Sequence, residues 1–183
     1  MRVVTIFLAL FLPYASAIAA SPEQQRQEIL KMEKETLAKL YDLQPSAKAA
    51  ISKAAGYAVF RNLGVKILFA GGGSGKGVAV DRKTNTRTYM RMGEVQAGLG
   101  AGVKKFRVVF VFENADALNT FVNQGWEFGG QTTAAATTGS EGASIAGALS
   151  VSPGVWMYQL TDAGVAVEVT AKGTKYWKDS ELN

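Results

Sequence analysis

Residues Ala55 to Val80 read AGYAVFRNLGVKILFAGGGSGKGVAV. Gly71, Gly73, Gly75 and Gly77 fall on every second residue between apolar runs, and a period of two belongs to a strand, whose alternate side chains share a face. One face of this ribbon is therefore nearly bare backbone. Glycine weakens a strand, so a run of it implies that another backbone or a ligand comes close, or that the sheet bends sharply. Gly98, Gly100 and Gly102 repeat the device. The expectation is two glycine-faced strands at a tight corner of one β domain.

A phosphate cradle is the competing reading of such a ribbon, and the residues decide against it. A Walker-type loop needs glycine, four residues, then Gly-Lys-Ser/Thr. Here Ala70 stands at the first position and Gly77, which has no hydroxyl for Mg²⁺, at the last. The dinucleotide fingerprint GxGxxG also fails in every register across residues 71 to 77, and no helical pattern follows.

From Tyr57 onward the signals are those of strands: Tyr57 to Phe60, Val65 to Ala70, Gly75 to Val80, a turn across Asp81 to Thr86, Thr88 to Met92, Val95 to Gly102, and Phe106 to Phe112. The last is almost continuously apolar and should be a central strand buried on both faces. Asn114 caps a helix to Gln124 with Gly125 as its stop, and Trp126 to Gly130 returns to strand. Gln131 to Ala148, nearly all Thr, Ala, Gly and Ser, reads as a loop. Val155 to Leu160, Val165 to Thr170 and Thr174 to Trp177 close the series.

Upstream lie two helices. Ser21, Pro22 and Gln24 supply an N-cap, a proline at the first helical position and the amide of a capping box. That helix should run to Leu43, with a stripe of Ile29, Leu30, Leu37, Leu40 and Tyr41. Pro45 ends it, and Ser46 to Ala55 forms a second helix with Gly56 as its C′ residue. The fold class is α+β: an antiparallel, barrel-like β-sheet with N-terminal helices and one further helix after a central strand.

Residues 1–19 have the three parts of a secretory signal: Arg2, the apolar run Val3 to Leu12, and a small-residue end with Ala17-Ile18-Ala19 as the cleavage triplet. Residues 20–183 then form a single domain, with a helical region over 21–55 and a β-rich body over 57–177. The apolar run is shorter than the about 20 residues of a spanning helix. The expectation is a bacterial periplasmic or secreted protein without a transmembrane segment in its mature part.

Charge is uneven along the 183 residues. Residues 48 to 107 hold twelve Lys/Arg against Asp81 and Glu94, whereas residues 108 to 183 hold three against eight. The basic half implies an anionic partner, and export makes nucleic acid the least suitable one. With neither histidine nor cysteine in the chain, zinc sites, thiol nucleophiles and histidine-dependent triads are excluded, and no cofactor or metal is expected. What chemistry remains belongs to carboxylates: a glycan hydrolase needs two, and Glu94, Glu127, Asp162 and Glu168 lie on or beside expected strands.

At Gly56-Tyr-Ala-Val-Phe60, Lys66, the ribbon to Gly77-Val78, and Gly125-Trp-Glu-Phe-Gly129, the chain resembles the SYLF domain family of lipid-binding proteins, also described as actin-binding after eukaryotic members that bundle filaments. The likeness runs over residues 30 to 177. It departs at Arg61, where the family has proline, across Glu94 to Val103, and at Thr170-Ala-Lys-Gly173. The resemblance implies peripheral binding to anionic phospholipid through the second helix, with Lys48, Ile51 and Lys53, and then through Arg61 and Lys66. For an exported bacterial protein the matching lipids are phosphatidylglycerol, cardiolipin or lipid A. A protein-binding or actin-binding-like structural module is the alternative.

Overall fold

The computed structural model describes residues 20–67, 70–97, 102–128, 147–161, 164–166 and 173–183. The expected segments Gln131 to Ala146, Gly98 to Ala101 and Glu168 to Thr170 lie outside them. Two helices come first, α1 (Pro22–Leu43) and α2 (Ser46–Lys53), then four long strands: β1 (Gly56–Ile67), β2 (Ala70–Asp81), β3 (Arg87–Ala97) and β4 (Gly102–Phe112). Helix α3 (Ala115–Gln124) precedes β5 (Trp126–Phe128), β6 (Leu149–Ser152), β7 (Val155–Thr161), β8 (Gly164–Ala166) and β9 (Thr174–Lys178). Among the described residues these strands make one antiparallel sheet in the order β5-β9-β3-β2-β1-β4-β7-β6, with β8 also on β7. The α+β class and barrel-like sheet are as the sequence predicts.

The local signals explain most boundaries. Ser21 Oγ accepts the Gln24 backbone N–H at 3.2 Å while Gln24 Oε1 accepts that of Ser21 at 2.8 Å, so the capping box starts α1 as expected. Asn114 accepts the Ala117 N–H at 2.9 Å and Gly125 (φ 73°) ends α3. Three expectations need correction. First, β1 runs unbroken through Asn62 and Gly64 rather than stopping at Phe60, because Asn62 is buried and paired on both sides, with Gly75 and Phe106. Second, β3 likewise passes through Gly93 as one strand. Third, Gly56 opens β1 instead of closing α2; a Cβ there would stand 2.6 Å from Leu118 Cδ2, so the glycine admits α3 against the sheet.

The sheet curls tightly, and each face has its own core. Phe110 on β4 and Tyr176 on β9 are four strands apart, about 19 Å along a flat sheet, yet their ring centroids lie 5.2 Å apart. On this concave face Phe60, Phe110, Phe112, Phe121 and Tyr176 pack with Met90, Met92 and α3 in one cluster. The convex face carries Val59, Val78, Val80, Val109, Val111 and Tyr158 beneath α1, α2 and Leu182. The central strand β4 is buried on both faces from Val108 to Phe112, as expected.

The curl accounts for the glycine ribbon. Gly75 and Gly77 occupy concave positions of β2, where a Cβ would lie 2.7 Å from Met92 Cγ and 2.7 Å from Phe60 Cγ respectively. Bare backbone there lets side chains of β1 and β3 fold across β2. Gly73 does the same for a buried polar bridge, in which Asn62 Nδ2 donates to Glu94 Oε2 over the intervening strand.

Candidate functional site

The convex face has a second feature built by strand register. Arg61 pairs directly with Lys76 on β2 and Arg107 on β4; Lys76 pairs with Arg91 on β3. Four cations thus stand side by side across β4-β1-β2-β3, ending against Leu160 and Trp177. At about 4.8 Å between strands the row is about 14 Å long. Like charges directly opposite each other on a sheet are destabilising, so the row carries a cost that local partners only partly relieve.

Those partners sit mainly at its ends. Arg107 faces Glu35 at 3.6 Å and donates to Thr36 Oγ1 at 3.3 Å, both from α1. Arg91 is clasped by Asp179 at 2.8 Å and Glu181 at 2.7 Å. Burial opposes the charge of Asp179, but the Arg91 hydrogen bond, the Glu181 N–H and the guanidinium charge outweigh it and hold its pKa below the ordinary carboxylate value. The hydrogen bond from Arg91 to Asp179, aided by both acidic charges, holds the guanidinium more firmly protonated. In the middle, Lys76 donates to the neutral amide of Gln25. Arg61 has neither an ion pair nor a hydrogen bond among the described residues.

Helix α1 crosses the sheet beside this row and is anchored by the expected stripe, with Ile29 and Leu40 in the convex core and Leu37 and Tyr41 packed against it, joined by Met32 and the polar Glu33 and Thr36. Its buried positions are Ile29, Met32, Glu33, Thr36 and Leu40; Leu30, Leu37 and Tyr41 are only half-buried. Glu33 accepts a 2.6 Å hydrogen bond from Tyr57 and faces Arg87 at 3.7 Å. Burial first, then that hydrogen bond, pushes the Tyr57 pKa well up, so the phenol stays a donor. Beyond the helix the convex face is open: Leu63 is 50% exposed, Val95 71% and Trp177 38%.

Two grooves flank Arg61. The larger, about 710 Å³, lies between the first half of α1 and the row and includes Met32, Arg61, Leu63, Lys76, Arg91 and Trp177. The smaller, about 490 Å³, adds Lys39, Lys105 and Arg107 on the other side. Five residues of strand, about 17 Å, separate Arg61 from the start of β1.

The expected lipid-binding set does not form one surface. Lys48 and Lys53 are exposed on α2 at the start of β1, near Arg82, which donates to the Ser52 carbonyl. Ile51, expected to meet lipid, is 4% exposed and belongs to the convex core. Lys66 lies on β1, and its side chain falls outside the described ones. Arg61 alone of the five sits in the row. Sequence reasoning missed Lys76, Arg91 and Arg107. The turn across residues 81–86 sets Lys76 opposite Arg91, a pairing available from sequence; the pairing of β1 with β4 is not local and is not.

Of the four candidate carboxylates, Glu94 and Glu127 fall among the described residues. Glu94 is buried on the concave face beside Asn62, while Glu127 is exposed at an alternate position, paired with Lys175 rather than Thr174. Asp162 and Glu168 lie outside the described residues. No group of three metal-ligating side chains gathers among the described residues.

Residues 93–183 match a family profile described as Ysc84, Las17-binding protein actin regulator. Residues 93–183 thus carry a domain of the SYLF family. The chain is also 36% identical over 162 residues to Beta cell expansion factor A of Aeromonas veronii, an alignment that takes in 87% of this chain. The chain spans 59% of that relative's length. SYLF domains are known for lipid- and actin-binding roles. No helix among the described residues is long and apolar enough to cross a membrane.

Proposed function

We propose that this protein is a non-enzymatic module that binds anionic phospholipid at a membrane surface in the bacterial envelope, using the cationic row on the convex face. The observation that carries the reading is Arg61, in no ion pair among the described residues, beside Lys76, with the exposed Leu63 two residues along β1 and the exposed Val95 and Trp177 further off on the same face. Cations with apolar neighbours suit an interface that offers phosphate outside and hydrocarbon within. Each cation near such a surface contributes about 1 kcal/mol, and sinking three half-exposed apolar side chains adds about 1 kcal/mol each. With the two cations that are in no ion pair among the described residues, Arg61 and Lys76, the total is about 5 kcal/mol before ordering costs, a dissociation constant of about 0.2 mM. Binding is therefore weak, peripheral and salt-sensitive.

Lys48 and Lys53 form a separate basic end that adds long-range attraction without apolar contact. Residues 1–19 serve as the export signal in this reading, and N-terminal sequencing of the cellular protein should find Ala20 first; a chain still beginning at Met1 would refute periplasmic placement. The central test is flotation with liposomes, with and without phosphatidylglycerol, at low and high salt. Lipid-dependent flotation should be lost in the Arg61→Glu/Lys76→Glu double variant. Absence of flotation with anionic liposomes at low salt would sink the proposal.

A protein-binding role is the second reading, supported by the family description, which names binding to Las17 and regulation of actin. Crosslinking in intact cells tests it: a specific adduct through convex-face positions favours a protein partner, and none removes its support.

A further inference from the structure

The larger groove differs from an open membrane-facing surface because α1 forms a wall over it. Its floor is the row, its wall includes Ile29 and Met32, and Trp177 closes one end. At about 710 Å³ it falls within the about 300–1,000 Å³ of small-molecule sites, which combine apolar lining with a few placed polar groups. A bilayer, being flat and continuous, reaches only the outermost groups of the convex face. A single chain can enter beneath the helix.

We propose that this groove binds one molecule of a single-chain anionic amphiphile, with its phosphate on Arg61 and Lys76 and its alkyl chain along Leu63, Met32 and Trp177. The inference rests on the same cations as the membrane reading but assigns them a different ligand state, a monomer rather than a surface. Three observations converge on it. Arg61 and Lys76 are directly opposed like charges, neither of them in an ion pair among the described residues, an arrangement that an anion between them relieves. Leu63 and Trp177 remain exposed beside them, although neither is needed by the core. Glu28 is the one carboxylate among the described residues lining this groove, against the cations Arg61, Lys76 and Arg91, so the lining stays net positive and suits an anionic head.

Calorimetric titration of the purified protein with dodecyl phosphate below its micelle concentration tests this. One saturable site per chain is expected, with inorganic phosphate and uncharged dodecyl maltoside each binding at least tenfold more weakly. Lys76→Glu should weaken dodecyl phosphate at least tenfold. Leu63→Asn should do the same while leaving inorganic phosphate within twofold. If Leu63→Asn fails to fold, Ser74→Trp replaces it, filling the groove from an exposed position. Undiminished binding in that variant overturns the proposal. So does the absence of saturable dodecyl phosphate binding, or equal affinity for either control ligand. Sedimentation with phosphatidylglycerol vesicles separates the two readings: vesicle binding without monomer binding removes the groove and keeps the surface, and monomer binding without vesicle binding does the reverse.

Discussion

The concave and convex faces of β1 to β3 are built from the same residues' backbone and alternate side chains, yet they differ in almost every physical respect. The concave side spends its glycines on closeness: Phe60, Met92 and Asn62 cross a bare β2, and the aromatic cluster fills the curl. The convex side spends its register on charge, aligning Arg107, Arg61, Lys76 and Arg91; the outer two hold α1 and the Asp179 segment, while the inner two are in no ion pair among the described residues. One face is optimised at close contact; the other retains repulsion that folding alone does not explain. Stability sacrificed at a local site of this kind is the usual mark of a binding surface.

Breaking the concave side should produce the largest effect. Gly77→Val places side-chain atoms against the Phe60 ring, where a Cβ alone would stand 2.7 Å from Cγ. It is expected to cost about 3 kcal/mol or more in urea unfolding; a loss under 1 kcal/mol would show that the sheet can uncurl. Next comes the clasp at the end of the row. Asp179→Asn should cost about 2 kcal/mol by weakening a charged, buried hydrogen bond. Because the Asp179 pKa is lower in the folded state, its contribution is fully present above the unfolded value of about 3.9 and disappears as pH falls through the lower folded value. An acid unfolding curve that Asp179→Asn leaves unshifted would contradict this.

The sharpest test of the contrast is a stabilising variant. Arg61→Glu turns two like-charge pairs into opposite-charge pairs with Lys76 and Arg107, and should raise stability by about 0.5 kcal/mol while weakening anionic-liposome binding at least tenfold. A destabilised variant, or one that binds normally, would undo the interpretation of the row. The smallest effect expected is that of Glu181→Gln. It releases one partner of Arg91 at the surface, changes stability by under about 0.5 kcal/mol, and strengthens liposome binding about twofold.

How far the sequence disclosed this arrangement follows from the range of each interaction. The capping box at Ser21, the stop at Gly125, the doubly buried Phe106 to Phe112 and the sheet-bending meaning of the glycines depend on neighbours or on simple alternation, and all were legible. The unbroken β1 was not, because Asn62 and Gly64 resemble a turn until Glu94, two strands away, supplies Asn62 with a partner. That misplaced break also hid the opposition of Arg61 and Lys76. Ile51 and the half-buried Leu37 and Tyr41 show the remaining limit: amphipathicity identifies an apolar stripe, but tertiary contacts decide what it meets, and here Glu33 and Thr36 take part of the buried seam through Tyr57 and Arg107.

The packing of Trp177 on Gly93 has a practical corollary. The absence of a side chain at position 93 lets the indole rest on β3, where an added Cβ would come within 3.2 Å of the ring. Trp156 is enclosed and Trp126 half-enclosed, whereas Trp177 is open to solvent at the end of the row. The molecule therefore carries its own optical gauge: occupancy of the convex face should register in the emission of one native fluorophore, without a dye.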